Sequence, residues 1–232
     1  MDMVIWVGII VLAAVIHATL QLGLGSLLLL YHASLGKHIK KQTKNLTGSF
    51  ISGVGLITFF GLCAACYVIA NGTGGGSMDP TGLMVMTIIL MVLALAMWIF
   101  YYRRGDSTEL WVPGVVAEFI DERAKKTNNN TEAFSLGVLS ALLELPMSLA
   151  LFVLAADSVL EIPVLWQLLM ILLYTLISIA PLVILKLSIR NGKTVTDIQR
   201  WRVKNKNFLR IMSGVGYLVL AGFVFAFKVL GA

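Results

Sequence analysis

Four polar side chains lie inside long apolar stretches of the sequence. His17 and Gln21 are one helical turn apart in the first stretch, and Glu144 and Ser148 have the same spacing in the fourth. Ionisable groups inside a membrane span are costly and mark substrate or proton pathways. We therefore predict that these residues converge as a substrate-binding or proton-relay site at the centre of a helix bundle. The alternative is that they only hold helices together, at about 0.6 kcal/mol per hydrogen bond.

Two prolines interrupt apolar stretches. Pro146 follows Glu144 by two residues, and Pro181 lies in the next stretch. A proline removes one backbone hydrogen bond, so both are predicted to kink or break their helices. Carbonyl groups freed beside a carboxylate suit a cation or a proton better than an anion. A purely structural kink is the other interpretation.

The remaining reactive residues do not form a catalytic constellation. Cys63 and Cys66 have a CxxC spacing within one apolar stretch, where packing as small hydrophobic residues is expected rather than redox chemistry or metal binding. The sequence contains no glycine-rich phosphate loop, no HExxH and no serine-based triad. We predict no enzyme activity, no metal and no cofactor.

The elements that must position these residues are membrane-spanning helices. The 232 residues are 58% hydrophobic and 13% charged, against about 25% charged for soluble domains. An apolar run of about 20 residues spans the hydrocarbon core as a helix. Six runs qualify and predict an all-α, polytopic bundle. They are Val4–Tyr31, Phe50–Ala70, Leu83–Tyr102, Phe134–Ala156, Val164–Leu187 and Phe208–Leu230.

The basic residues predict the orientation in the membrane. Seventeen of the 18 Lys and Arg residues, all except Lys228, lie in or next to the loops after the first, third and fifth runs, and the loops after the second and fourth runs hold none. Basic loops stay in the cytoplasm, so both termini are predicted outside, in the plasma (inner) membrane. The net charge of +6 is therefore not a nucleic-acid surface. Asp157 and Glu161 are expected as solvated charges at the outer mouth.

The longest connection divides the chain into two groups of three helices. The predicted parts are residues 1–102, a cytoplasmic linker at 103–133 and residues 134–232. Within the linker, apolar positions at 112–120 predict an amphipathic interfacial helix. Three helices per half give the halves opposite orientations, the 3+3 arrangement of an inverted repeat. The Ser-Gly-Val-Gly sequence at 52–55 and 213–216 lies in helices that run in the same direction, so close helix packing explains it better.

The stretches Ala133–Pro146 and Phe208–Gly216 carry a family resemblance. They resemble the fourth and the glycine-rich final helices of the lysine-exporter (LysE) superfamily, which shares the order of three helices, linker and three helices. The resemblance implies that the chain exports amino acids or metal ions. It also implies a functional role for Pro146 and Glu144, which match positions in the family's fourth helix. Leu145-Pro146-Met147 replaces the Asn-Pro-Lys-like element of that family.

Two functions follow from these observations. The first is a secondary transporter, an exporter of a cation or a small amine-bearing metabolite through the polar midplane site. The second is a non-transporting scaffold or assembly subunit whose basic loops dock a partner, with Trp201 as an anchor for that partner or for anionic lipid. The predicted partners are membrane lipid and a small-molecule or ion substrate, not nucleic acid. Assembly into a homo-oligomer is compatible with either function.

Overall fold

The computed structural model describes residues 2–22, 40–74, 76–100, 129–191 and 195–230, and these residues form helices joined by short turns, with no strand among them. The last helix continues into a π-helical turn. The helices are α1 Asp2–Gln21, α2 Lys40–Gly72, α3 Pro80–Phe100, α4 Asn130–Leu160, α5 Val164–Arg190, α6 Val195–Lys204 and α7 Lys206–Val224, followed by the π-helix Phe225–Val229.

Six of these helices, all except α6, are long and apolar enough to cross a membrane. Large apolar side chains on their outer faces are exposed, as on α5 at Leu165, Leu169, Leu172 and Leu176. Their spacing places them on one side of the helix, where lipid would cover them. The prediction of six helices able to span a membrane is therefore confirmed, and they indicate a multi-pass membrane protein.

Several helices extend beyond the apolar runs that predicted them. α4 begins at Asn130, four residues before the predicted start, because the Asn129 side chain caps it by accepting a hydrogen bond from the Glu132 N–H at 2.8 Å. An apolar run ends at the first polar residues, whereas capping and backbone hydrogen bonds extend the helix into the polar interface of the membrane. The predicted linker helix at 112–120 and the end of the first run, from residue 23, lie outside the described residues.

The helices of the first half pack mainly on helices of the second half. In the described part of the chain, α1 packs on α4, α5 and α7, α2 on α4 and α5, and α3 on α7 and, less extensively, α4. Contact among α1, α2 and α3 is slight. α4 and α1 are the most buried spans. Polar residues on α1 and α4 are therefore positioned to meet inside the bundle.

The tightest helix crossing joins α2 to α4. A Cβ atom on Gly53 would collide with the Phe134 carbonyl oxygen, and one on Gly137 would collide with the Phe50 carbonyl oxygen. Glycine at both positions lets the two backbones touch. Gly53 belongs to the first Ser-Gly-Val-Gly sequence, and Gly214 of the second packs against Trp98. Close packing thus accounts for both copies.

Neither internal proline breaks its helix. α4 runs without interruption through Pro146, and α5 through Pro181. A proline removes a single N–H donor, and the hydrogen bonds of the turns on either side keep the helix continuous. The Pro146 ring is exposed on the outer face of α4, so it points away from the side that carries Glu144. The predicted helix break beside Glu144 is absent.

Candidate functional site

A carboxylate and an amide meet at the centre of the bundle. Gln21, at the end of α1, donates a hydrogen bond from Nε2 to Oε2 of Glu144 on α4, at 2.6 Å. Gln21 is fully buried and Glu144 is 6% exposed. Glu144 lies near the middle of the 31-residue α4, about 21 Å from its first residue at 1.5 Å per residue. The predicted contact between helices 1 and 4 is therefore present and lies deep in the bundle.

Two oxygen atoms beside this contact have no hydrogen-bond partner among the described residues. They are Oε1 of Gln21 and Oγ of Ser140, both fully buried. Ser140 precedes Glu144 by one helical turn, so the two side chains share a face of α4. A buried polar group left without a partner costs about 1–3 kcal/mol. Unpartnered acceptors beside a carboxylate suit a ligand that carries positive charge or N–H donors.

His17 makes its contacts with α5 and with an aromatic neighbour on α4. Its Nδ1 lies 3.1 Å from the Tyr174 hydroxyl oxygen, in a buried hydrogen bond whose donor depends on the tautomer. The Phe152 ring stands edge-on to the imidazole, with centroids 5.2 Å apart. His17 and Gln21 share one face of α1, but His17 hydrogen-bonds to α5 and Gln21 hydrogen-bonds to α4. His17 therefore forms its hydrogen bond with Tyr174, one turn of α1 before the Gln21–Glu144 contact.

Two further hydroxyl groups occupy the same region of α4. Ser148 donates to the Glu144 carbonyl oxygen at 3.1 Å, and Tyr217 on α7 donates to the Met147 carbonyl oxygen at 2.8 Å. Both residues are buried. The polar layer thus draws on α1, α4, α5 and α7. Ser140, Tyr174 and Tyr217 are absent from the sequence-based site; a polar residue one turn from Glu144 was the signal that could have identified Ser140.

A second buried cluster lies at the short-loop end of the bundle, where α1 begins and α2 and α4 end. Lys228 forms an ion pair with Oδ2 of Asp157, and both side chains are inaccessible. The other carboxylate oxygen, Oδ1, accepts a hydrogen bond from the Met78 N–H at 2.7 Å. The Lys228 ammonium also lies 4.2 Å from the centre of the Trp6 ring. Four segments of the chain therefore meet at one pair of charges.

This cluster corrects the prediction that Asp157 is a solvated loop charge. Asp157 lies in the last turn of α4, where the helix dipole disfavours a negative side chain, and Lys228 compensates for it. Lys228 belongs to the π-helix Phe225–Val229, a form that often occurs at functional positions. Glu161, just after α4, is exposed as expected.

The described residues contain no group of three or more His, Cys, Asp and Glu side chains that could hold a metal ion. Cys63 and Cys66 are unoxidised and half-buried, and Cys66 Sγ lies 4.0 Å from the Ala156 carbonyl oxygen. Their environment is the apolar core, since both pack against its buried residues. The cluster around Gln21 and Glu144 is therefore the best candidate site in the described part of the chain.

Comparison of the chain with protein-family models, with curated proteins and with solved structures finds no match in any of the three.

Proposed function

We propose that this chain is a secondary transporter that exports a cation or a small amine-bearing metabolite through the cluster at Gln21 and Glu144. The observation that carries the proposal is the Oε1 atom of Gln21, a buried acceptor without a described partner beside a buried carboxylate. A structural contact would satisfy its own hydrogen bonds, whereas a binding site leaves some for the ligand. An ammonium or metal cation would accept the electron pairs that these oxygens offer.

Each residue of the cluster has a role in this proposal. Glu144 binds the positive group of the substrate or exchanges it for a proton. Gln21 orients the Glu144 carboxylate through its N–H and offers Oε1 to the substrate. Ser140 supplies a hydroxyl oxygen one turn away. His17 and Tyr174 form the polar wall one turn of α1 from Gln21, toward the short-loop end.

The pairing of helices supports an inverted repeat. In such a repeat, α1 corresponds to α4, α2 to α5 and α3 to α7. When each helix is exchanged for its counterpart, the α2–α4 contact becomes the α1–α5 contact, and the α3–α4 contact becomes the α1–α7 contact. All four contacts are present, as are the α1–α4, α2–α5 and α3–α7 contacts that the exchange leaves unchanged. In inverted-repeat transporters the substrate lies near the midplane at the repeat interface. The Gln21–Glu144 contact joins two helices that the exchange interchanges.

The two ends of the bundle differ in a way that suits alternating access. The buried Asp157–Lys228 pair joins α4 to the end of α7 at the short-loop end, which we place outside the cell on the distribution of basic residues. At the opposite end, a cleft of about 410 Å³ opens between α2, α4 and α5. We infer a conformation closed to the outside, and transport would require the Asp157–Lys228 contact to open.

Proteoliposomes with a trapped pH-sensitive dye test this function. A pH gradient is imposed, and sodium, magnesium, lysine or putrescine is added to the outer solution. We expect at least one of them to dissipate the gradient with the wild type and not with Glu144→Gln. Glu161→Gln is the control and should behave like the wild type, because it replaces an exposed carboxylate just after the same helix. Equal responses in Glu144→Gln and the wild type would contradict the proposed role of Glu144.

The scaffold alternative is favoured by one observation. Trp201 is 48% exposed on the short helix α6, between the exposed residues Arg200 and Lys204, while Ile198 on the same helix is buried. An exposed tryptophan flanked by basic residues suits a protein partner or an anionic membrane surface. If no cation or amine dissipates the gradient in a folded protein, this alternative becomes the better one.

A further inference from the structure

The cleft at the end of the bundle opposite the Asp157–Lys228 pair is lined mainly by polar residues, and the charge it carries is positive. Its walls come from the first turns of α2 and α4 and from the last turns of α5. The lining residues are Asn45, Gly48, Ser49, Ser52, Asn130, Phe134 and Lys186. Lys186 is the one charged residue among them, and none is acidic. The cleft therefore offers hydrogen-bond donors and a positive charge together.

The ammonium of Lys186 is directed across the cleft toward α2. A Cβ atom on Gly48 would lie 2.9 Å from the Lys186 Nζ atom, so the ammonium lies directly against the α2 backbone at this place. Lys186 is partly buried and makes no ion pair or hydrogen bond with any described residue. A lysine held in a cleft without an acidic partner has a charge available for an anion.

Uncharged donors surround this ammonium. The amide groups of Asn45 and Asn130 and the hydroxyl of Ser49 line the same space, whereas the Ser52 hydroxyl already donates to the Gly48 carbonyl oxygen at 3.0 Å. Asn130 is the first residue of α4, where the Asn129 side chain already accepts the Glu132 N–H and Glu132 adds a negative charge to the first turn. A lysine together with hydroxyl and amide donors matches the oxygen atoms of a phosphate group.

We propose that this cleft binds a phosphate group at the membrane interface, from the headgroup of an anionic phospholipid or from a soluble phosphate ester. Lys186 lies four residues before the end of α5, about 6 Å along the helix, which is near headgroup depth for a spanning helix. The site is separate from Glu144 and does not depend on the transport proposal.

Native mass spectrometry of the detergent-purified chain tests this site. The wild type and Lys186→Gln are titrated with dioleoyl phosphatidylglycerol, and Arg190→Gln serves as the control, because Arg190 is an exposed basic residue at the end of the same helix and does not line the cleft. Loss of a charged hydrogen bond worth about 1.5 kcal/mol corresponds to about tenfold weaker binding. We expect that loss in Lys186→Gln, with Lys186→Arg and Arg190→Gln binding like the wild type.

A competition experiment distinguishes the two sources of phosphate. Glycerol 3-phosphate added in millimolar excess should displace the lipid if the site takes a soluble ester, and should leave it bound if the site takes the lipid headgroup. Lipid binding by Lys186→Gln equal to that of the wild type, or an equal weakening in Arg190→Gln, would overturn the site. Thermal unfolding of each variant checks that it is folded. Neither result changes the expectation for Glu144→Gln in the transport assay, so the two proposals can fail separately.

Discussion

Two buried carboxylates on the same helix have very different surroundings. Asp157 faces the Lys228 ammonium and accepts the Met78 N–H, so its charge is neutralised and both oxygens are occupied. Glu144, thirteen residues or about 20 Å earlier on α4, accepts a hydrogen bond from the Gln21 amide. Beside Glu144, the Gln21 and Ser140 oxygens have no partner in the described structure. Both oxygens of the first carboxylate are occupied, whereas the second cluster contains buried oxygens without a described partner, as the proposed binding site requires.

The difference teaches how to separate a structural polar contact from a binding site. A buried ion pair with every atom engaged holds segments together, and removing either partner leaves an uncompensated charge. A cluster with unoccupied acceptors contributes less to stability than its number of polar atoms suggests. Substitutions at the Asp157–Lys228 pair should therefore change stability most, and substitutions beside Glu144 should weaken transport with little effect on stability.

Breaking the Asp157–Lys228 pair should have the largest effect on stability. Asp157→Asn keeps an acceptor for the Met78 N–H but leaves the Lys228 ammonium buried without its counter-charge, at a cost of about 3–5 kcal/mol. We expect the double variant Asp157→Asn, Lys228→Met to recover most of that loss, because it removes both charges. Unfolding in mixed micelles measures these free energies, with Glu161→Gln as the exposed control, expected within about 0.5 kcal/mol of the wild type. A stable Asp157→Asn variant would refute the importance of the pair.

A smaller and opposite effect is expected at Ser140. Ser140→Ala removes a hydroxyl without a described partner, so stability should stay within about 0.5 kcal/mol of the wild type or rise, while the substrate response weakens several-fold. Ser158→Ala is the matched control, since Ser158 is buried on the same helix and donates to the Leu154 carbonyl oxygen at 2.9 Å. That variant should lose about 1 kcal/mol and transport normally. The reverse pattern, a destabilised but active Ser140→Ala, would indicate a structural Ser140.

The sequence predicts the fold well because the physics of a membrane span is local. Six apolar runs became six helices long enough to span, and the errors lie at their ends, as at Asn130, where capping decides. Gln21 and Glu144 were predicted to meet because a polar residue in mid-span needs a partner on a neighbouring helix. The sequence does not indicate which helices touch, and so His17 was expected near Glu144 rather than Tyr174.

Asp157 and Lys228 illustrate what a local reading misses. Both lie near the ends of spans and are separated by 71 residues, so a solvated charge was the natural expectation for Asp157. Their burial depends on the packing of α4 against the segments before α3 and after α7, which no single stretch of sequence encodes. The available signal was that Lys228 is the one basic residue expected at the short-loop end, which also holds only a few acids.

The most direct test of the central claim is whether water reaches the Glu144 cluster. Ser148, which donates to the Glu144 carbonyl, is replaced by cysteine in a Cys63→Ala, Cys66→Ala background, and a charged methanethiosulfonate reagent is applied from each side of oriented vesicles. The thiol must ionise to react, so labelling requires water. Leu149→Cys is the control, because Leu149 lies one residue on and is 55% exposed on the outer face of the bundle. The account predicts labelling of Ser148→Cys from at least one side and none of Leu149→Cys. A folded Ser148→Cys protein that resists the reagent from both sides would mean a dry, packed midplane and would contradict a transport site there.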